Sequence, residues 1–153
     1  MKRFLLIDTA REPATVAIAT SRQVLAETQV AERHQLSERL LGRIDELTEA
    51  AAVPLSKITA IGIVSGPGPF TALRVGVAVT NALAYAHGKS IVGVTVDEAP
   101  SILAFAALVA QRQAAGKTAE AILPDYGREP TITPPKRRVK VDAVKSSRAR
   151  HTP

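Results

Sequence analysis

The chemistry in this chain of 153 residues gathers at two places. One is the turn Ser65-Gly-Pro-Gly-Pro-Phe-Thr71, with Arg74 shortly after it. The other is Asp8-Thr9, which closes the first apolar run. Gly66 and Gly68 permit backbone angles that other residues avoid, and Pro67 and Pro69 restrict the turn. A glycine-rich turn entering a helix presents unpaired amides that can hold an anion, and Thr71 is placed to cap them. The turn departs from the Walker loop, because no Gly-Lys-Ser/Thr follows. It also departs from the dinucleotide fingerprint, because Gly-x-Gly-x-x-Gly is not completed from either glycine. The plainer alternative is a rigid strand-to-helix connector. Asp8 and Thr9 likewise read either as polar ligands at a strand end or as a cap on the following turn.

Other chemistry is excluded or weakly signalled. The chain has no cysteine, hence no disulfide, thiolate metal site or thiol nucleophile. That fits a reducing compartment, and a cytoplasmic location is expected. His34, His87 and His151 are the only histidines, and no two stand four apart to share a metal on one helix face. The basic, apolar start of the chain is interrupted by Asp8, which argues against an export signal. The uncharged run at 75–88 is too short to cross a bilayer.

The net charge of +6 is unevenly placed. Residues 1–135 hold 13 Lys/Arg and 13 Asp/Glu, whereas residues 136–153 hold seven Lys/Arg and one Asp. The body is therefore neutral and the excess belongs to the tail. The composition of that tail, poor in aliphatics and without aromatics, predicts disorder. It offers nothing to stack a base, but its charge would add a salt-sensitive, sequence-blind attraction for RNA. A solvated solubilising tail is the alternative.

Elements that position these residues follow from hydrophobic period and punctuation. Residues 4–9, 14–20 and 23–30 read as three strands joined by short connections, an antiparallel meander. A helix follows from 34 or 37 to 51, with Leu36, Leu40, Leu41, Ile44 and Leu47 on one side and charges on the other. Pro54 stops it. A buried strand at 59–65, a helix at 71–86 closed by Gly88, a strand at 90–95 and a helix from 98 or 101 to 115 complete the pattern. The order β-β-β-α-β-α-β-α predicts an α/β fold, a mixed five-stranded sheet with helices on its faces. A short strand at 121–123 is admissible; beyond it Pro124, Pro130, Pro134 and Pro135 interrupt regular structure.

The helix at 71–86 is apolar almost all round. Leu73, Val77 and Asn81 share one stripe, Val75, Val79 and Ala82 another, and Gly76, Ala78, Ala82 and Ala86 are small enough for a second helix to approach. A second apolar face on so small a domain marks an interface, unless the chain's own core covers it.

The order of elements resembles the first lobe of an actin-like (ASKHA, ribonuclease H-like) ATPase. Ile7-Asp-Thr-Ala10, His34 at the first helix, Ser65-Gly-Pro-Gly-Pro-Phe-Thr-Ala-Leu-Arg-Val-Gly-Val77 and Ile91-Val-Gly-Val-Thr95 together resemble the TsaB (YeaZ) family. That family is the non-catalytic paralogue in bacterial threonylcarbamoyladenosine synthesis. The likeness covers residues 1 to about 110. Members carry a second actin-like lobe, whose opening Asp-Ala-Arg-Arg-like stretch is missing here. Ile122-Leu-Pro-Asp-Tyr-Gly-Arg128 resembles the family's closing segment. The expected organisation is thus a lobe at 1–118, a remnant of the closing segment at 119–135 and a basic tail at 136–153.

The resemblance implies a scaffold subunit that pairs through its first two helices with the catalytic TsaD, or with a second copy. TsaE would join the assembly, and tRNA would be reached indirectly or through the tail. It implies no cofactor in this chain, with ATP and magnesium belonging to the partner complex. The implied interface residues are Leu36, Leu40, Arg43, Leu73, Arg74, Val77 and Asn81. Asp8 and Thr9 match the phosphate and metal position of actin-like kinases, so the rival reading is a nucleotide-binding enzyme using Asp8, Thr9, Gly66, Gly68 and Thr71. Nothing supports the superfamily's older protease label: there is no His-Glu-x-x-His and no nucleophile-elbow serine.

Overall fold

The computed structural model describes residues 1–127. The expected basic tail at 136–153, and the part of the expected remnant beyond Gly127, lie outside the described residues. Alternation decides the first strand, β1 (Phe4–Asp8). Leu5 and Ile7 face one side of the sheet and Phe4 and Leu6 the other, and all four are buried. A strand covered on both faces must be central. β2 (Ala14–Ala19) and β3 (Val24–Val30) follow as the expected antiparallel meander. β4 (Ala60–Gly66) pairs parallel with β1 on its other side, and β5 (Ser90–Thr95) pairs parallel with β4. The spatial order is β3-β2-β1-β4-β5.

Three helices cover this mixed sheet. α1 (Leu36–Ala51) and α2 (Phe70–His87) pack on the face of Leu5, Ile7, Ile61 and Ile63. α3 (Ile102–Ala114) packs Phe105, Ala106 and Val109 on the opposite face, against Phe4, Leu6, Val64 and Val92. α2 ends at Gly88 in the left-handed conformation, φ +63°, as the sequence predicts. Ser101 caps α3, its hydroxyl accepting from the Ala104 amide. No helix among the described residues is long and apolar enough to cross a membrane.

Two expectations are corrected. α2 begins at Phe70, so Thr71 lies inside its first turn and does not cap it; Pro69 holds the cap position without a side-chain bond. Residues 121–123 form no strand. Only Ala119 bridges Ile91 on the outer edge of β5, and the chain then leaves the sheet to run toward α2.

The rest of that outer edge is closed by side chains. Arg112 donates to the Gly93 carbonyl at 2.8 Å, and Glu98 accepts from the Thr95 amide at 3.0 Å. Arg112 and Glu98 also pair with each other. Covering an edge in this way discourages pairing with another chain. The Thr95 backbone hydrogen bond, then Arg112, hold the Glu98 carboxyl below its ordinary value of 4.5. A lowered folded value means that the stabilisation is complete above the unfolded value and disappears as pH falls through the folded one. Glu98→Gln should therefore melt below wild type at about pH 7, and the gap should shrink as pH falls below the ordinary carboxylate value. Thermal unfolding followed by circular dichroism checks this; a constant gap across that range would mean the charge contributes nothing.

Candidate functional site

In open α/β sheets the ligand crevice lies outside the carboxyl ends of the parallel strands. Here β1, β4 and β5 end together, at Asp8, Gly66 and Thr95. The parallel register pairs Asp8 with Val64 and Gly66 with Thr95. The sequence-predicted residues Asp8, Thr9, Gly66 and Gly68 are therefore brought to one edge, and α2 starts just beyond it.

Each of these residues is engaged within the chain. Asp8 is 5% exposed. Its Oδ1 accepts from the Ala10 amide at 3.0 Å and its Oδ2 from Arg11 Nη1 at 2.7 Å. Arg11 Nη2 also donates to the carbonyls of Val96 and Ala99, both at 2.6 Å. Thr9 is buried and turns its hydroxyl toward α2. A Cβ at Gly76 would collide with that hydroxyl, so Gly76 is what lets α2 lie against the end of β1. Thr9 Oγ1 has no hydrogen-bond partner among the described residues. Gly66 has φ +139°, and a Cβ there would strike the Asp125 carbonyl. A Cβ on Gly68 would come within 2.8 Å of the Ala10 carbonyl. The glycines thus admit other parts of the chain. Thr71 is the exception, exposed in the first turn of α2.

The segment after α3 forms a strap over this edge. Ala119 pairs with Ile91, and the Asn81 side chain exchanges two bonds with the Ile122 backbone, at 3.0 and 2.9 Å. The Asp125 amide donates to the Ser65 carbonyl at 2.8 Å. Tyr126 then stacks on Phe70 with centroids 4.6 Å apart, and the Arg74 guanidinium lies 5.3 Å from the other ring's centroid, that of Phe70. Sequence reasoning missed the roles of Arg11, Tyr126 and the Asn81–Ile122 pair. An opposite charge three residues after Asp8, and a lone amide in an apolar helix, were the available signals.

The expected interface set divides. Leu36, Leu40, Leu73 and Val77 are buried in the chain's own core, which corrects their assignment to a docking face. The sheet and α1 decide which stripe of an all-round apolar helix turns inward. Asn81 is half-buried and occupied by the strap, and Arg74 is exposed. Arg43 is half-buried on α1 and pairs with Glu46 at 3.0 Å. His34 is largely exposed, 3.4 Å from Glu32, and takes no part in the edge. Among the described residues no three His, Cys, Asp or Glu side chains gather as metal ligands.

The geometry is that of the first lobe of an actin-like α/β fold, with its strand-end carboxylate and glycine-proline turn. The model of the TsaD family, tRNA N6-adenosine threonylcarbamoyltransferase, matches residues 23–111, more than half of the chain, and the chain belongs to that family. Similarity to TsaB and YeaZ proteins, expected from the turn motif, is found as well. The TsaB protein of Escherichia coli (strain K12), a tRNA threonylcarbamoyladenosine biosynthesis protein, is 30% identical over 93 residues, 61% of this chain and 40% of that protein. The tRNA N6-adenosine threonylcarbamoyltransferase of Geobacillus thermodenitrificans is 41% identical over 66 residues, 43% of this chain and 19% of that protein. The solved structure of YeaZ from Pseudomonas aeruginosa superposes with a TM-score of 0.56 at 30% identity, covering 62% of this chain and 43% of that one. The chain therefore spans less than half the length of these relatives.

Two substitutions test the placement of residues on α2. Val77→Glu puts a charge in the core, which costs several kcal/mol unless the group is paired or neutralised, so the variant should lose cooperative unfolding. A folded Val77→Glu would contradict the burial. Asn81→Leu removes both bonds to Ile122. Of the two tyrosines Tyr85 is 91% exposed, so near-ultraviolet dichroism reports mainly on Tyr126. That signal should weaken in Asn81→Leu while the far-ultraviolet spectrum stays unchanged.

Proposed function

We propose that this chain is a non-catalytic scaffold subunit for synthesis of N6-threonylcarbamoyladenosine at position 37 of tRNA. It docks on the catalytic TsaD, with TsaE joining the assembly, and the transfer chemistry belongs to TsaD. The observation that carries the reading is the outward face of α2. From Val75 to Ala86 the helix has no charged residue. Ala78, Ala82 and Ala86 recur at four-residue spacing and are exposed, and Val75, Val79 and Leu83 are half-buried beside them. Residues spaced by four form one ridge on a helix, and small side chains let a partner helix approach closely. Leu41 on α1 and Tyr85 on α2 are further exposed large apolar side chains.

Family membership supports the same reading, as does the likeness to proteins of threonylcarbamoyladenosine biosynthesis. The docking face differs from the set that the resemblance implied. It is built from Ala78, Ala82 and Ala86, since Leu36, Leu40, Leu73 and Val77 serve the core. A partner covering it would need to approach the roughly 1,600 Å² total of a standard interface, which two helices from each side can supply. Engagement of Asp8 by Arg11 favours this reading over a nucleotide-binding enzyme.

Light-scattering mass on size exclusion, with the chain alone and mixed with its cognate TsaD, is the test. A species at the summed mass is expected. Ala82→Glu should abolish it without destabilising the chain by more than about 0.5 kcal/mol, the usual range for an exposed position. A monomer indifferent to TsaD, or pairing untouched by Ala82→Glu, would sink the proposal.

A further inference from the structure

We infer that Arg11 is a built-in cation filling an oxygen-lined site at the carboxyl edge of the sheet, and that it keeps divalent metal ions off Asp8. A buried carboxylate needs a compensating positive charge. Three oxygens converge here from separate parts of the chain: Oδ2 of Asp8 and the carbonyls of Val96 and Ala99. One carboxylate oxygen with two backbone carbonyls is a donor set suited to a hard cation such as magnesium, manganese or calcium. In this chain the guanidinium takes all three, Nη1 on the carboxylate and Nη2 on both carbonyls.

Three features make this a lock rather than a surface ion pair. The Asp8 side chain is 6% exposed, so solvent screens the pair little from that side. Its second oxygen is held by the Ala10 amide, which fixes the carboxylate's direction whatever Arg11 does. Arginine stays charged at any physiological pH and places its donors in a rigid fork, so the cation is permanent. The bonds run from the β1–β2 connection to the β5–α3 connection, across the edge where parallel sheets take their ligands.

The site remains reachable. The Arg11 side chain is 38% exposed, and an open groove lined by Asp8, Arg11, Thr15, Gln29 and Ser101 lies over it. Among actin-like folds this carboxylate is implied to order a metal-bound water. The residues here do not fit that metal, because the position is taken by the chain itself. Shortening Arg11 should therefore expose a preformed oxygen site rather than merely delete a contact.

The experiment is manganese binding to the full chain, followed by calorimetry and by electron paramagnetic resonance of the free ion. Wild type should bind no manganese at the carboxyl edge. Arg11→Ala should gain binding of a single ion that wild type lacks, and adding Asp8→Asn to that variant should remove the gain. Wild type binding as tightly as Arg11→Ala would overturn the inference, and so would a folded Arg11→Ala that gains nothing. If Arg11→Ala fails to fold, nitrogen-15 spectra of the wild-type guanidinium decide instead. Resolved, slowly rotating Nη groups that magnesium leaves unmoved are expected. Averaged Nη signals, or signals displaced by magnesium, would show that the cation site is not closed.

Discussion

The fold depends on how closely α2 and the connecting loops can approach the carboxyl ends of β1 and β4. A parallel pair such as β1 and β4 needs a crossover, and the crossover returns the chain to the same edge each time. Asp8, Gly66 and Thr95 are brought together for that reason. The edge is then crowded, and positions without a Cβ relieve the crowding: Gly76 gives room to the Thr9 hydroxyl, Gly66 to the Asp125 carbonyl and Gly68 to the Ala10 carbonyl. With those approaches made, Arg11 can span from Asp8 to Val96 and Ala99, and the strap can reach Ser65.

These contacts separate two surfaces with different physical characters. The carboxyl edge is polar and mostly engaged by the chain itself, with Asp8 paired, the turn glycines covered and Phe70 stacked on Tyr126, while the buried Thr9 hydroxyl has no partner among the described residues. The outward face of α2 is apolar and made of small residues. The strand-end carboxylate is thus paired within the chain, whereas Ala78, Ala82 and Ala86 stand exposed on the helix. The half-buried Val75, Val79 and Leu83 join that face to the core beneath it. Pressure on the face from a partner helix would therefore bear directly on the packing of α2 against the sheet.

Much of this architecture was legible in the sequence. The strand and helix order follows from period and punctuation: Pro54 after α1, Gly88 at the end of α2 and the Ser101 cap of α3. Asp8 and the glycine-proline turn were legible as polar features at strand ends. The choice of face on α2 was not, because a helix apolar on every side carries no signal about which stripe meets the sheet. Leu73 and Val77 turn inward only because the sheet and α1 lie there. Arg11 was illegible for another reason. Its carbonyl partners lie 85 and 88 residues away in the chain, and no local pattern announces them. The same holds for Asn81 and Ile122, 41 residues apart.

Hydrogen–deuterium exchange on the full chain tests the division between a closed edge and an open helix face most directly, measured alone, with magnesium and ATP, and with the cognate TsaD. The account predicts that TsaD slows exchange in peptides covering α2, and that magnesium and ATP leave residues 8–12, 65–70 and 95–99 unchanged. Protection of those edge segments by magnesium and ATP, with α2 indifferent to TsaD, would contradict it and return the edge to the role of a nucleotide site.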